Sequence, residues 1–293
     1  MTFAVNGRVY PRQPSLDIRT HLFLCAIKNA ANGFPHSQAL ALVGPPGTGK
    51  TTLAQEISRD MGASVHMLHG STLGGPYEGM ASDVLAEAYL TAAYDESGFI
   101  SVLVIDDIET GDANADQKIA GTSSRHLVIG MLMALANNPF ELIRGVAGRS
   151  MKKSSPKRAP ALIYTSNALD VLSETMLRAG RCWMSTVDPH GEELQAIVAA
   201  MYSQCSQSQI ASLVSAFPEE TPAFFAEIGN VVTRARAEHI VQTWKGPFGE
   251  LDFAALGAEF SSAKGHAGFE QLMEAAEKLA SVDRAQSFLK TAA

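Results

Sequence analysis

A glycine-rich segment followed by Lys50 and Thr51 is the part of this sequence best suited to binding phosphate. It follows a short apolar stretch, residues 39–43, and precedes a helical pattern. Its glycines allow positive φ angles and expose backbone N–H groups, and the positive end of the helix dipole faces the same concavity. Lys50 is expected to contact the β and γ phosphates, and Thr51 to complete the coordination of Mg²⁺. The residues predicted to surround the nucleotide are Gly44, Pro45, Pro46, Gly47, Thr48, Gly49, Lys50, Thr51 and Thr52.

Two carboxylates follow an apolar run in the segment SVLVIDD, residues 101–107. A strand buried on both faces is typical of a parallel α/β sheet, in which ligands bind at the carboxyl edge. Asp106 is predicted to hold Mg²⁺ through water, and Asp107 to orient or deprotonate the attacking water. Glu109 is an alternative base, although two residues further on it is expected to point elsewhere. The alternative for the whole segment is a strand that ends in helix-capping acids.

Further polar residues are predicted near the same edge. Asn167 ends the apolar segment PALIYTS and is expected to hold the attacking water or a γ-phosphate oxygen. Arg178 and Arg181 flank an Ala-Gly pair, and they are either surface cations or donors for a neighbouring subunit's γ-phosphate. Arg234 and Arg236 share a later helix, which either returns over the nucleotide or faces solvent.

Two loops leave their function open. Tyr77 lies in the glycine-rich loop GGPYEG. Loops this rich in glycine usually have a function that needs mobility or close approach to a ligand. Taken alone, Tyr77 also fits a half-buried aromatic residue of an ordinary loop. A second loop is basic and could bind DNA or an acidic protein, but it lacks the interleaved aromatic residues that stack on bases, so a solvated loop is favoured. Its cations are Arg149, Lys152, Lys153, Lys157 and Arg158.

The cysteines and histidines give no metal-binding pattern. Cys25, Cys182 and Cys205 are odd in number and widely spaced, which indicates reduced thiols rather than disulfides or a metal site. His66 and His69 are predicted on opposite faces of one strand, where we interpret them as structural.

The composition is that of a soluble globular protein with one large or two moderate domains. The chain has 293 residues, of which 46% are hydrophobic and 18% charged, and a net charge of -7 that argues against nucleic acid as the main ligand. No apolar run approaches the ~20 residues of a membrane span. The amino terminus resembles neither a signal nor a transit peptide, so a cytoplasmic location is expected.

Hydrophobic periodicity predicts alternating strands and helices, followed by helices alone. We therefore predict an α/β domain at residues 1–188 and an α-helical domain at residues 189–293. The predicted strands are 39–43, 64–68, 101–107, 160–167 and 182–187. The predicted helices are 15–33, one beginning at residue 50, 81–94, 127–136, 191–203, 206–216, 221–243, 250–261 and 267–290.

Together, the phosphate loop, the acidic strand, Asn167, the arginine pair and the helical part resemble an AAA+ ATPase. Seven segments resemble, in order, those of plant-type Rubisco activases, and the last of them lies in a helix that no general AAA+ motif specifies. The segments are NGRVYPRQPSLD, GSTLGGPYEG, IDDIETG, ALANNPFELIRGV, RAPALIYTSN, RAGRCWMSTVDP and FPEETPAFFAEIGNVVTRARA.

This resemblance implies a three-layer α/β P-loop NTPase domain with parallel strand order 5-1-4-3-2, followed by an α-helical lid. It implies ATP, Mg²⁺ and a hexameric homo-oligomeric ring that acts like a chaperone on a partner protein, with Rubisco as the leading candidate. Asn167 would be sensor 1, Arg178 and Arg181 fingers acting on the neighbouring subunit, and Arg236, less surely Arg234, sensor 2. Tyr77 would lie in the first pore loop.

Three functions remain open from the sequence. The first is a remodelling motor acting on Rubisco or, because of Tyr77, on another protein. The second is an assembly scaffold that ATP orders and hydrolysis resets. The third is a DNA-associated factor that uses the basic loop, against which the net acidity argues.

Overall fold

The chain divides into two compact units, which we describe separately. The computed structural model describes residues 2–31, 34, 36–73, 80–109, 130–136, 156, 158–167, 181–247, 250–263 and 267–291. One unit comprises residues 11–188, and the other joins residues 1–10 to residues 189–293. The grouping of residues 1–10 with the helical part did not follow from the sequence. The domains 1–188 and 189–293 stay a prediction about which parts fold independently.

Seven strands and eight long helices make up the regular structure of the described residues. The strands are β1 Thr2–Val5, β2 Arg8–Pro11, β3 Ala39–Val43, β4 Ser64–His69, β5 Ser101–Asp106, β6 Ala161–Ser166 and β7 Cys182–Thr186. The helices are α1 Arg12–Ala30, α2 Lys50–Asp60, α3 Met80–Tyr94, α4 Gly191–Met201, α5 Gln207–Ala216, α6 Pro222–Thr243, α7 Phe253–Ala263 and α8 Phe269–Thr291. A 3₁₀ turn spans Gly70–Leu73, and residues 130–136 are helical.

A parallel five-stranded sheet forms the centre of the first unit. Its order is β4-β5-β6-β3-β7, which is 5-1-4-3-2 when these strands are numbered along the chain, as predicted. Every residue of β3, β5 and β6 is buried, because these strands have neighbours on both sides and side chains packed on both faces. Burial on both faces explains why these strands appear in the sequence as continuous apolar runs.

Helices cover the sheet and fix its strands. The face that carries Ala41, Leu103 and Tyr164 packs against α3 and the helical segment 130–136. Helices α1 and α2 contact each other, and both contact β6. The predicted P-loop NTPase fold is therefore confirmed in its sheet and its flanking helices.

The amino-terminal hairpin is the main element that sequence reasoning missed. Strands β1 and β2 pair around Asn6 and Gly7, whose φ angles are 50° and 75°. An Asn-Gly pair at positive φ is a strong signal for a two-residue hairpin turn, and this signal was present in the sequence. Helix α1 also begins at Arg12 rather than at residue 15, because proline at position 14 is tolerated in a first helical turn.

The second unit contains the helices α4 to α8, of which α4, α5, α6 and α8 share an apolar core. Phe217, Phe224 and Phe225 stack edge-on or tilted at its centre, with ring centroids 5.3 and 5.4 Å apart. The buried Tyr202 hydroxyl donates to the Phe225 carbonyl over 2.5 Å. Among the described residues, no helix is both long enough and apolar enough to cross a membrane.

Candidate phosphate-binding site

The chain leaves the sheet at Gly44, in a gap that only glycine fits. The N–H of Gly44 donates to the Ser166 carbonyl, and the N–H of Val187 donates to the Val43 carbonyl, so the loop starts between β6 and β7. A Cβ atom on Gly44 would lie 2.0 Å from the Val187 oxygen. Because that oxygen belongs to the backbone, it cannot move aside, and the loop requires glycine at this position.

The loop then returns to the sheet edge and begins helix α2. Gly47 and Gly49 have φ angles of 80° and 87°, and Gly49 caps the helix, which begins at Lys50 as the sequence predicts. The Thr48 hydroxyl donates to the Pro45 carbonyl over 2.9 Å and closes the loop. The first N–H groups of α2 and the positive end of its dipole therefore point into a concavity suited to an anion.

Lys50 lies within this concavity, with 5% of its surface exposed. Its ammonium donates to the carbonyls of Gly44 and Pro45 and to Oδ1 of Asn167, each over 2.8 Å. Burial lowers the pKa of Lys50, and the carboxylates of Asp107, Glu109 and Asp106 act in the opposite direction. All three acceptors are uncharged, so none of these hydrogen bonds supplies the negative charge that an anionic ligand would bring to the ammonium.

Two threonines hold the first carboxylate at the end of β5. Oδ1 of Asp106 accepts hydrogen bonds from the hydroxyls of Thr51, over 2.5 Å, and Thr165, over 2.7 Å. The sequence predicted Thr51 and Asp106 as metal ligands, and the structure brings them together. Hydroxyl and carboxylate oxygens are donors that Mg²⁺ prefers, so this pair fits that ion.

The second carboxylate lies on strained backbone. Asp107 has a φ of 48°, and its N–H donates to the Thr165 hydroxyl over 2.8 Å. Burial raises the pKa of Asp107, and the adjacent carboxylates Asp106 and Glu109 raise it further. A Cβ atom on Gly70 would lie 2.1 Å from the Asp107 carbonyl, so the turn after β4 requires glycine here too. Strain and a raised carboxyl pKa together are typical of functional sites.

Glu109 also lies in the site, and the expectation that it points elsewhere is wrong. Its Oε1 accepts from the backbone N–H of Asn167 over 2.9 Å and also from the Asn167 side-chain amide. Asn167 therefore connects Lys50 to Glu109. The other oxygen, Oε2, is buried and accepts no hydrogen bond within the described part of the chain. The strand ends at Asp106, so the alternation of side chains that excluded Glu109 no longer applies two residues later.

Thr165 and His69 were not predicted at the site. Thr165 and Ser166 are fully buried polar residues that end the apolar strand β6, and a hydroxyl at the end of such a run is a signal that the sequence does carry. His69 is the register partner of Asp106 on β4, and its Nδ1 lies 3.6 Å from Oδ2 of that residue. His66 does have a structural contact, a 2.8 Å hydrogen bond with Asp95.

Arg181, one of the arginines predicted for catalysis, lies at the opposite edge of the sheet from Lys50. Arg181 precedes β7 at the amino edge of the sheet, where its carbonyl accepts a hydrogen bond from Ser37. Lys50 follows the carboxyl end of β3, which runs parallel to β7. Five residues of strand separate the two edges by roughly 16 Å. Arg178 and Tyr77 lie outside the described residues, as do Arg149, Lys152, Lys153 and Lys157.

Arg234 and Arg236 belong to the helical unit. Arg234 is exposed and pairs with Glu238 over 3.1 Å. The Arg236 guanidinium lies 6.0 Å from the centroid of the Phe260 ring and lines a groove of about 460 Å³. A sensor role for either residue stays a prediction.

The sequence is similar to a known protein family and to several known proteins. The family model described as "ATPase family associated with various cellular activities (AAA)" matches residues 40–187. The 26S proteasome regulatory subunit 8 homolog of Schizosaccharomyces pombe is 26% identical over 149 residues, 51% of this chain and 33% of that protein. The zinc metalloprotease FtsH of Lachnoclostridium phytofermentans is 27% identical over 155 residues, 53% of this chain and 24% of that protein.

A third relative is the mouse protein named ATPase family gene 2 protein homolog B, which is 25% identical over 158 residues, 52% of this chain and 20% of that protein. The chain thus spans a third or less of the length of these three relatives. The match to the family model includes the phosphate loop and all five strands of the sheet except the first residue of β3.

Proposed function

Because the chain belongs to the AAA family of ATPases, we propose that it binds ATP with Mg²⁺ and hydrolyses it to ADP and phosphate. The observation that carries this proposal is the buried Lys50 ammonium at the start of helix α2, whose hydrogen-bond acceptors within the described part of the chain are all uncharged. Phosphate oxygens are the ligands that such an ammonium lacks. Thr51 and Asp106 would hold the Mg²⁺, whose charge would offset that of the phosphates.

Asp107, Asn167 and Glu109 have different roles toward the attacking water. Asp107 accepts its proton as general base, since its carboxylate follows β5 at the edge where the phosphates would lie. Asn167 orients the water. Glu109 fixes the Asn167 amide, because a carboxylate that accepts from Nδ2 leaves Oδ1 directed at Lys50. Glu109 is therefore a positioning residue in this proposal.

The site is completed by a neighbouring subunit. Arg181 of this chain lies at the amino edge of its sheet, away from its own Lys50. We therefore assign Arg181 to the neighbour's phosphates, and Arg178 joins it on the sequence resemblance. The active form is then a homo-oligomeric ring, which we take to be hexameric. Supplying such an arginine is worth ~10³ to 10⁵ in rate, so an isolated subunit should turn over very slowly. A lid role for the helical unit, with Arg236 as sensor 2, rests on the sequence resemblance.

The target of the motor is a protein. Two relatives are named as a proteasome regulatory subunit and as an ATP-dependent zinc metalloprotease, and the net charge of -7 disfavours nucleic acid. Tyr77 is the residue we assign to gripping the substrate. Rubisco blocked by a sugar phosphate is the specific candidate, and its support is the ordered set of activase-like sequence segments.

Measuring ATPase rate against protein concentration tests this proposal. The rate per subunit should rise cooperatively as rings form, and Lys50→Ala should abolish it while Lys278→Ala, an exposed lysine in the helical unit, should not. The same assay with sugar-phosphate-inhibited Rubisco separates the targets. Recovery of carboxylation supports an activase, whereas a cooperative ATPase without recovery directs the search to another protein. No ATPase at any concentration would refute the proposal.

A further inference from the structure

Two histidines and a cysteine converge at the amino edge of the sheet. His21 and Cys25 lie one turn apart on helix α1, and His36 lies in the segment that leads into β3. One ligand atom from each of the three residues lies within 4.8 Å of the other two. Their separation in the sequence gave no metal-binding pattern, because only folding brings His36 to the helix.

The distances between these atoms suit a shared ion. Nε2 of His36 lies 3.2 Å from Nδ1 of His21, and the Cys25 sulfur lies 3.7 Å and 3.9 Å from the two ring nitrogens of His21. Zinc bonds of about 2.0 to 2.3 Å in a tetrahedron place neighbouring ligand atoms roughly 3.3 to 3.6 Å apart. The separations that involve His21 differ from these values by a few tenths of an ångström. The Cys25 sulfur and the His36 ring nitrogen lie within 4.8 Å of each other, so binding a shared ion requires side-chain rotation to bring these two atoms closer.

The surroundings hold the three side chains in place. His21 and Cys25 are fully buried, and His36 is half-buried. The Trp183 and His36 rings are perpendicular and in contact, with centroids 5.6 Å apart. The Lys28 ammonium donates to the His36 carbonyl over 2.6 Å and fixes that backbone. Its positive charge opposes a bound cation, and the charge of a Cys25 thiolate offsets it.

An imidazole binds a metal through the lone pair of one ring nitrogen. The ring nitrogens that approach each other in this cluster are Nδ1 of His21 and Nε2 of His36.

We propose that His21, Cys25 and His36 bind one Zn²⁺-type transition-metal ion, with a fourth position open to water beside His36. When the sulfur–metal bond forms, the Cys25 thiol releases its proton to solvent. Nitrogen and sulfur donors select such ions over Mg²⁺, which requires oxygen. The ion joins α1 to the segment entering β3 and so ties the first helix to the strand that ends at the phosphate loop.

Titrating the metal-free full chain with Co²⁺ tests this site. One equivalent should produce the absorption of thiolate-to-cobalt charge transfer, and Zn²⁺ should abolish it by displacement. Cys25→Ser should lose the band, and His36→Gln should weaken cobalt binding at least ~10-fold. Cys205→Ser and His239→Gln, in the other unit, are the matched controls and should retain both band and affinity.

The cobalt absorption band does not depend on the proposed ATPase activity. Co²⁺ at Thr51 and Asp106 would have oxygen ligands and give no sulfur band, so Lys50→Ala should leave the band unchanged. Circular dichroism verifies that each variant is folded, and the half-buried His36 provides a test that does not disturb the core. A wild-type chain without the band, or a band that persists in folded Cys25→Ser, overturns the proposal and leaves a buried histidine–histidine hydrogen bond.

Discussion

The two edges of the central sheet carry different chemistry. At the carboxyl edge, the Lys50 ammonium donates to Oδ1 of Asn167, and the Thr51 hydroxyl donates to Oδ1 of Asp106. At the amino edge, the nitrogens of His21 and His36 lie near the sulfur of Cys25. Oxygen donors and an ammonium suit phosphates and Mg²⁺, whereas nitrogen and sulfur suit transition metals. One sheet thus offers two kinds of ligand, kept apart by the length of its strands.

The largest effect is expected for Arg181, which lies at the amino edge of the sheet and which we propose acts at the carboxyl edge of the neighbouring subunit's sheet. Arg181→Ala should bind ATP normally and lose ~10³- to 10⁵-fold in turnover, because the transition-state charge is no longer neutralised. Mixing this variant with Lys50→Ala should restore part of the activity, since each supplies the group that the other lacks. Arg158→Ala, an exposed arginine in the same unit, is the control. A mixture that stays inactive would contradict the intersubunit role.

Lys50→Ala tests the carboxyl edge alone. Losing two or more hydrogen bonds to charged oxygens costs about 3–6 kcal/mol, which corresponds to roughly 10²- to 10⁴-fold weaker ATP binding. Calorimetric titration with a non-hydrolysable ATP analogue measures this, and Lys278→Ala should bind like the wild type. Unchanged affinity in Lys50→Ala would show that the loop does not hold the phosphates.

Asp107 and Glu109, the two carboxylates after β5, should contribute unequally to turnover. Asp107→Asn should lower turnover ~10²- to 10⁴-fold through loss of the base. Glu109→Gln should lower it ~10- to 100-fold, because it loses one charged hydrogen bond to Asn167. Single-turnover assays separate these effects from binding, and Glu56→Gln on α2 is the control. A larger loss in Glu109→Gln than in Asp107→Asn would transfer the role of base to Glu109.

The smallest effect concerns His69, which lies at the same edge but is mostly exposed. Its contact with Asp106 at 3.6 Å is screened by solvent, with 66% of the histidine side chain accessible. His69→Gln should therefore change turnover by at most ~5-fold. His66→Gln, which breaks a bond to Asp95 away from the site, serves for comparison. A loss beyond ~10-fold in His69→Gln would place that residue in the catalytic machinery.

The sequence predicted the carboxyl edge because each of its parts is local. The phosphate loop, the acidic pair and Asn167 each follow an apolar run, and in a parallel sheet the ends of such runs meet. All five strands of the sheet were predicted to within one residue at either end. The strand order came from the resemblance to AAA+ proteins rather than from any strand's own residues.

What escaped prediction depends on contacts between distant segments. Glu109 reaches Asn167 across 58 positions, and His36 reaches His21 across a turn whose path the sequence does not specify. Gly70 is needed because the Asp107 backbone passes beside it, which no local pattern reveals. The Asn6-Gly7 hairpin is different, since its signal was local and was overlooked.

The central position of β3 in the sheet also affects folding during synthesis on the ribosome. Its pairing partners are distant, because Ala39 meets Leu162 on one side and Cys182 on the other. At synthesis rates of about 5–20 residues per second, the strand emerges from the ribosome ~6 to 25 s before its first partner. During that interval a wholly apolar strand has both hydrogen-bonding edges unpaired. Nascent chains of this protein should therefore be at their most aggregation-prone between the synthesis of β3 and that of β6.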